Sequence, residues 1–295
     1  MVKFGRIYEL TVRGQKLGDH VIKFPLTCKF GIDRQQFSGI NSAHFSIYGL
    51  SESSRKDIYY DSVFKVKPVP PIKFLAGYAS SPSLTRVFSG TVSEAYTMRE
   101  GPELITRINA MSGAPQISEA IVRQTIPAPW NFTSTMKYLM GKLGDIKVGE
   151  VLVGTRANPS KEPPPGTSPI VLNGKVWDVL MKYANGVDAN LFIDNGVVHM
   201  LGQGIGIPSP ASLSEISTDT GLLGIPKKNG DTVVCDMLFE PNFTIRQKLK
   251  LNSLLANWVN GDYVVSGINH TGTISGVESG DAVTKLTLQS DKAST

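Results

Sequence analysis

The chain has 295 residues, 41% of them hydrophobic and 19% charged, with a net charge of +5. That is the composition of a globular protein long enough for two or three domains, each with its own core. No apolar run approaches the roughly 20 residues of a membrane-spanning helix. The basic excess lies in residues 1–113, with 15 Lys and Arg against 9 Asp and Glu, whereas residues 114–295 carry 15 against 16. These bases stand singly along alternating segments rather than clustering with aromatics, which argues for a solvated strand face over a nucleic-acid patch.

The N-terminal "MVKFGRIYELTVRG" alternates like a strand and spaces its charges, so it lacks the apolar core of a secretory signal. "VIKFPLTCKF" is expected to be one strand, with Ile22, Phe24, Leu26, Cys28 and Phe30 inward and Lys23, Pro25, Thr27 and Lys29 outward. Pro25 has no N–H and marks that strand as an edge or a bulge. "AHFSIYGL" repeats the alternation through Ala43, Phe45 and Ile47, and Ser51 then offers an N-cap with Glu52 in the first turn of a short helix. "SVFKVKPV", "IKFLAGYA", "RVFSGTVSEAYT" and "ELITRINAMS" read as further strands. Residues 1–113 are therefore expected to form a small barrel or sandwich.

Residues 114–205 change period. Met136, Leu139, Met140 and Leu143 share one helical face that ends at Gly144. Val176, Val179, Leu180 and Tyr183 share another, ending at Asn185-Gly186. Between them the Pro-rich stretch 156–169 reads as an exposed loop or a semi-rigid contact arm. "NLFIDNGVVHM" is a hairpin signal, because Asn195-Gly196 supplies both positive φ angles of a type I′ turn. These elements make a small α/β module. From residue 206 strands return, with a second hairpin expected to turn at Asn229-Gly230, then "TIRQKLKLNS" and "WVNGDYVVSGINHTGTISG" before "AVTKLTLQS". The expected architecture is mainly β with an α/β insert: residues 1–113, 114–205 and 206–295 as β, α/β and β domains.

One β-unit is written twice. "VFSGTVSEAYT" (87–97) leads to "ELITRINAMS" (103–112), and "VVSGINHTGTI" (264–274) leads to "AVTKLTLQS" (282–290). Ser89-Gly90 and Ser266-Gly267 are 177 positions apart, Thr106-Arg107 and Thr284-Lys285 178, so one inserted residue aligns the two hairpins.

The chemistry of a catalytic site is sought without success, and no catalytic, cofactor-binding or metal-ligating residues are expected. "GQGIGI" (202–207) resembles a phosphate loop by letters, but Pro208 and Pro210 follow where a helix would have to begin. His199 and Asp194 lack a serine or cysteine to complete a triad, and Glu119, Asp145 and Glu150 have no special setting. The histidines His20, His44, His199 and His270 have no zinc-ligand spacing. Cys28 and Cys235 fall in apolar runs and read as buried reduced thiols, fitting a reducing cytoplasm. Trp130, Trp177 and Trp258 sit in apolar contexts and read as core or interface packing. Asn131, Asn242 and Asn269 match the glycosylation pattern by letters alone.

"AHFSIYGLSESSRKDI" followed by "IKFLAGYASSPSLTRVFSGTVSEA" resembles the N-terminal tube-like domain of phage tail baseplate hub proteins, the family of the late control gene D proteins and the hub-like half of type VI secretion spikes. The order of the later modules, through "GLLGIPKKNGDTVVCDMLFEPNF" and "NGDYVVSGINHTGTISG", fits it over essentially the whole chain. That resemblance implies a non-enzymatic homotrimer at the tip of the tail tube. Its two tube-like domains per chain would give six similar positions that meet a six-fold tube and a three-fold central spike. It further implies edge-to-edge contact between neighbouring subunits, other baseplate proteins as partners, and a lumen for DNA or a tape-measure protein. It implies no cofactor and no membrane insertion, assembly in the bacterial host cytoplasm, and residence in the virion tail baseplate. A distal tail or tube-initiator protein with six single domains is the alternative within that class. A tail-associated peptidoglycan hydrolase and a basic nucleic-acid module are alternatives outside it.

Overall fold

The computed structural model describes residues 5–36, 39–61, 69–154, 158, 161–207, 213–278 and 280–290. The first segment runs β1 (Arg6–Arg13), β2 (Asp19–Lys23), β3 (Cys28–Gln35), β4 (Asn41–Tyr48), α1 (Glu52–Ile58), β5 (Tyr60–Asp61), β6 (Pro71–Tyr78), β7 (Thr85–Glu100) and β8 (Glu103–Ser112). The middle runs α2 (Ala114–Glu119), β9 (Ile121–Ile126), α3 (Phe132–Met140), β10 (Lys147–Leu152), β11 (Ile170–Lys175), α4 (Val176–Gly186), β12 (Ala189–Asp194) and β13 (Val197–Gly202). The last runs β14 (Glu215–Ile216), β15 (Leu222–Asn229), β16 (Thr232–Leu238), β17 (Lys248–Leu251), β18 (Gly261–Ile274) and β19 (Ala282–Ser290), with a 3-10 turn at Asn257–Val259.

The first and last segments share one sheet, in the order β15-β16-β19-β18-β3-β4-β8-β7-β6-β1-β2. Its path ends at β15 and β2, so of the two expected forms no barrel closes within one chain, while the mainly β reading with an α/β insert holds. The same antiparallel arrangement occurs twice within it. In β3-β4-β8-β7-β6 and in β15-β16-β19-β18-β17 the spatial order is first, second, fifth, fourth, third. The two units join edge to edge, because β3 pairs along Gly267–Ile274 of β18.

The duplicated hairpins match in a register different from the one the sequence offers. A β-bulge falls between Val92 and Glu94 in β7 and between Val265 and Gly267 in β18, which makes Ser93, not Ser89, the counterpart of Ser266. Thr97 then faces Thr106 as His270 faces Thr284, and Tyr96 faces Arg107 as Asn269 faces Lys285. The Ser-Gly letters mislead because the extra residue of a bulge, not local composition, sets which side chains share a face. Their glycines confirm it: a Cβ on Gly90 would lie 2.4 Å from the Met111 carbonyl oxygen, and one on Gly267 would meet the Gln35 side chain at 2.8 Å.

Three core clusters follow the three segments. Leu10, Ile32, Phe45, Ile47, Phe74 and Phe88 anchor the first, where Phe74 lies 5.0 Å from Phe45 and 5.2 Å from Phe30 between ring centroids. Met136, Leu139, Met140 and Leu143 pack against Val176, Leu180, Val198 and Met200 in the second. Val265, Ile268, Leu286, Leu288 and Phe243 anchor the third. Each of these fully buried side chains is worth about 1.5–3 kcal/mol of transfer free energy. Phe239, Ile274 and Ala282 of the last segment belong to the first cluster, so the two β-units share packing as well as backbone bonds.

Local signals set most caps and turns at the expected positions. Ser51 caps α1 by accepting the Ser54 N–H at 3.2 Å, and Asn195 (φ 48°) and Gly196 (φ 75°) make the expected turn between β12 and β13. Three boundaries differ. "VIKFPLTCKF" is two strands, because Phe24 and Pro25 turn and the Leu26 N–H donates to the Lys23 carbonyl at 3.2 Å, which leaves Phe24 exposed and buries Thr27. Helix α3 ends at Met140 with Gly141 as its cap; Leu143 is still buried, and Gly144 is a positive-φ turn beyond it. The second hairpin turns at Gly230-Asp231, since Asn229 still pairs with Thr232 and Gly230 alone takes a positive φ there. Most of "SVFKVKPV" lies outside the described residues, as do Pro208, Pro210 and part of the Pro-rich loop.

Candidate functional site: a polar sheet face and the junction beneath it

Eight strands, from β15 through β18 and from β3 through β7, form a continuous surface across both units. Opposed residues in a sheet point to the same side, so the registers line side chains up in rows. One row runs Asp236, Lys285, Asn269, Asp33, Ser42 and Met111; the next runs Leu238, Val283, Thr271, Gly31, His44, Asn109 and Glu94. A third runs Thr273, Lys29, Ser46, Arg107 and Tyr96. Apart from Met111, Leu238 and Val283 these rows are polar, and their acids (Asp236, Asp33, Glu94) balance their bases (Lys285, Lys29, Arg107). Lys285 sits 3.8 Å from Asp236, Arg107 sits 3.8 Å from Glu100, and the Asn109 amide donates to Glu94 at 3.1 Å. Gly31 is required here, since a Cβ would fall 2.0 Å from the His44 ring that lies across it.

The opposite side of the same strands is core. Met237, Thr284, His270, Ile32, Ala43, Ala110 and Val92 form one row across both units, and each is buried. His270 Nδ1 lies 2.9 Å from Thr284 Oγ1, and burial, reinforced by the positive charge of Arg34, pushes its pKa well below the usual histidine value.

Where the three segments meet, a polar cluster replaces the apolar core. Arg34 on β3 donates through Nε and Nη2 to the two carboxylate oxygens of Asp194, each at 2.8 Å, with the side chains 1% and 6% exposed. Asp194, at the end of β12, also accepts the Ile245 N–H at 3.1 Å. Asn41 donates to the Ile193 carbonyl at 2.8 Å. Arg246 (φ 67°) donates to the carbonyls of Gly202 (2.8 Å) and Ile205 (2.9 Å) and to Gln36 Oε1 (3.2 Å). One fork-shaped ion pair and one arginine thus tie the α/β module to both β-units.

The residues weighed for catalysis are put to other uses. Asp194 faces Arg34 rather than serving His199. His199 accepts the Glu150 N–H at Nδ1 (3.1 Å), stacks 5.4 Å from Phe192, and is held below its usual pKa by burial. Glu119, Asp145 and Glu150 are exposed. Gly202 ends β13, and Ile207 forms an isolated bridge with Gln247 where a phosphate loop would need a helix. Cys28 and Cys235 are buried free thiols, both pushed up by burial, Cys235 to about 12. Asn131 caps α3 by accepting the Ser134 N–H at 2.9 Å, Asn242 donates to Glu240 at 2.7 Å, and Asn269 lies in the polar rows. Trp130 and Trp177 pack on the middle cluster, and the Trp130 indole rests on Gly166 while donating to Ser168 at 3.0 Å. Trp258 is not a core residue: it is 72% exposed, beside Leu254 at 80% and Leu255 at 68%. Arg34 and Arg246 were not singled out in the sequence, because nothing local marks a basic residue as buried until distant segments surround it.

Among the described residues no helix is long and apolar enough to cross a membrane, and no group of three His, Cys, Asp or Glu is placed to hold a metal. The fold resembles a tail protein from Neisseria meningitidis MC58, with a TM-score of 0.63, 11% identity, and 98% of this chain and 97% of that one covered. It also resembles the 43 kDa tail protein of prophage MuSo2 from Shewanella oneidensis, with a TM-score of 0.59, 8% identity, and coverage of 96% and 98%. A third likeness is to the E. coli c3393 protein, a type VI secretion component described as similar to the T4 tail proteins gp27 and gp5, with a TM-score of 0.55, 9% identity, and coverage of 97% and 77%. No curated protein sequence matches the chain. The sequence model for Baseplate hub gp41 matches residues 9–273. Spanning the alternating strands, the α/β insert and most of both β-units, that match places the chain in the baseplate hub gp41 family of phage tail proteins.

Proposed function

We propose that this baseplate hub works as a non-enzymatic homotrimer whose two β-units per chain supply six similar positions around one ring. Residues 1–113 and 206–295 are its two tube-like domains, and residues 114–205 are a small α/β module between them. The ring joins the six-fold tail tube to the three-fold central spike and surrounds the channel taken by DNA or the tape-measure protein. One observation carries the reading: the five-strand order that occurs twice, already joined edge to edge within one chain. Three chains with two such units meet six-fold and three-fold partners without mismatched surfaces.

Two further features support it. The polar rows balance acid and base, which suits a channel wall past which a polyanion moves without being held. The loop between the third and fourth strands differs between the units: residues 79–84 in the first, and the longer 252–260 with exposed Leu254, Leu255 and Trp258 in the second. An apolar projection carried by one unit in two recurs three times per ring and matches a three-fold partner. Assembly takes place in the host cytoplasm, no cofactor is used, and peptidoglycan cutting belongs to another protein. Native mass spectrometry of the purified chain tests the stoichiometry: a trimer is expected, and a hexamer would favour a tube-initiator role instead. Clearing in a zymogram would overturn the non-enzymatic part.

A further inference from the structure

Strand β10 lies at one end of the small sheet β10-β13-β12, and among the described residues β13 is the strand it pairs with. Its parallel ladder is interrupted: Val148 pairs with Val198 and Val151 with Met200, so Gly149 and Glu150 bulge opposite the single residue His199. The half-buried histidine ring fills that bulge. A Cβ on Gly149 would lie 2.6 Å from the ring's Nδ1 and Cε1, so glycine is what lets the ring lie against the strand. Nδ1 accepts the Glu150 N–H at 3.1 Å, and the ring stacks on Phe192 with 5.4 Å between centroids and 21° between planes. A titratable side chain thus supplies a bond that a ladder ordinarily takes from a backbone carbonyl.

We propose that His199 is a proton-operated latch: the neutral ring fastens the bulge of β10 to β13, and protonation at Nδ1 releases that stretch of strand while the rest of the fold stays closed.

To accept the Glu150 N–H, Nδ1 must keep its lone pair, so the ring's own proton sits on Nε2. A proton taken from solvent occupies that lone pair and turns both nitrogens into donors. The Glu150 N–H then faces another N–H, and the bond is lost. Two acids act on the ring: Asp194 on β12, on the same sheet face as His199, and Glu150 on β10. Both draw a proton toward it, although Asp194 is itself held by Arg34 of β3 at 2.8 Å. Burial outweighs them and keeps the ring neutral near pH 7, with its titration in the acid range. The released stretch has room to move, because residues 150–153 border a cleft of about 190 Å³ shared with Lys137 and Lys161. The start of the strand stays tethered, since the Lys147 N–H donates to the Gly196 carbonyl at 2.9 Å.

The test is hydrogen exchange of the full-length chain, read by mass spectrometry on peptides covering residues 147–153 and corrected for the intrinsic rate at each pH. Below pH 6.5 and down to the native pKa of the ring, protection there should fall by up to about tenfold per pH unit. Peptides covering β12 should hold theirs. His199→Gln keeps an acceptor that does not titrate and should show no such fall. His199→Phe keeps the stack without the acceptor and should leave 147–153 poorly protected at every pH. The latch is overturned if protection at 147–153 is the same at pH 7.5 and pH 5, if it falls in step with β12, or if the Gln variant follows the parent. Should either variant fail to fold, nitrogen-15 NMR of the histidine-labelled parent decides, with His199 assigned through its contacts to the Phe192 ring. The Nε2–H tautomer is expected at pH 7.5, and the Nδ1–H tautomer would overturn the proposal.

Discussion

Replacing Asp194 by Ala is the most informative single perturbation of the fold, because one carboxylate serves three segments. In the variant the Arg34 guanidinium, 1% exposed, keeps its charge and loses both of its 2.8 Å bonds, while the Ile245 N–H loses its 3.1 Å acceptor. Among the described residues Arg34 Nη1 already has no partner, so none of them compensates. Breaking one side of a buried pair costs about 3–5 kcal/mol, and at 1.4 kcal/mol per tenfold that is roughly a hundredfold to a few thousandfold in the folding equilibrium. Urea unfolding, followed by far-ultraviolet circular dichroism and by the emission of Trp130 and Trp177, reads the loss as a lower midpoint. The Arg34→Met/Asp194→Leu double variant removes both charges and should recover all but about 1–2 kcal/mol of the stability. A single variant within about 1 kcal/mol of the parent would refute the idea that this pair ties the α/β module to the β-units.

The remaining predictions concern titration, register and capping. His270 and His199 have folded pKa values below 6.5, so the unfolded chain binds protons there that the native chain does not. Stability should therefore fall as pH drops below 6.5, by up to about 1.4 kcal/mol per pH unit for each histidine. His270→Gln should flatten that slope in urea titrations between pH 6.5 and 5, and an unchanged slope would count against the burial of a neutral ring. Gly90→Ala should cost about 1–3 kcal/mol, because its Cβ meets a backbone oxygen of the partner strand. Gly267→Ala should cost less than about 1 kcal/mol, because the Gln35 side chain can swing aside. Equal costs in thermal melts would contradict the bulge-based register. Ser51→Ala should cost about 1 kcal/mol through the lost cap of α1, with no change in the assembled mass.

Much of the fold was legible where a local signal decides it. Asn195-Gly196 specifies its own turn, Ser51 its own cap, and the alternation through Ala43, Phe45 and Ile47 its own buried face. What stayed hidden depends on partners far away in sequence. The joint between β18 and β3 brings together residues more than 200 positions apart, so neither strand's composition announces it. The burial of Arg34 requires Asp194 to arrive from another segment. Short strands such as β9 and β11, whose side chains alternate weakly, gain their order from pairing with each other. The duplicated unit was visible in outline, but its register was fixed by bulges at Ser93 and Ser266 that letter matching cannot locate. The polar rows likewise became a surface only once eight strands were ordered side by side.

The central claim is that two equivalent β-units per chain build one ring. Electron cryo-microscopy of the assembled chain, at a resolution that separates strands, tests it most directly. The account predicts three chains per ring, with β3-β4-β8-β7 and β15-β16-β19-β18 superimposing at successive positions and the polar rows turned to the channel. A ring of six chains, or one with the two units at different radii, would contradict it.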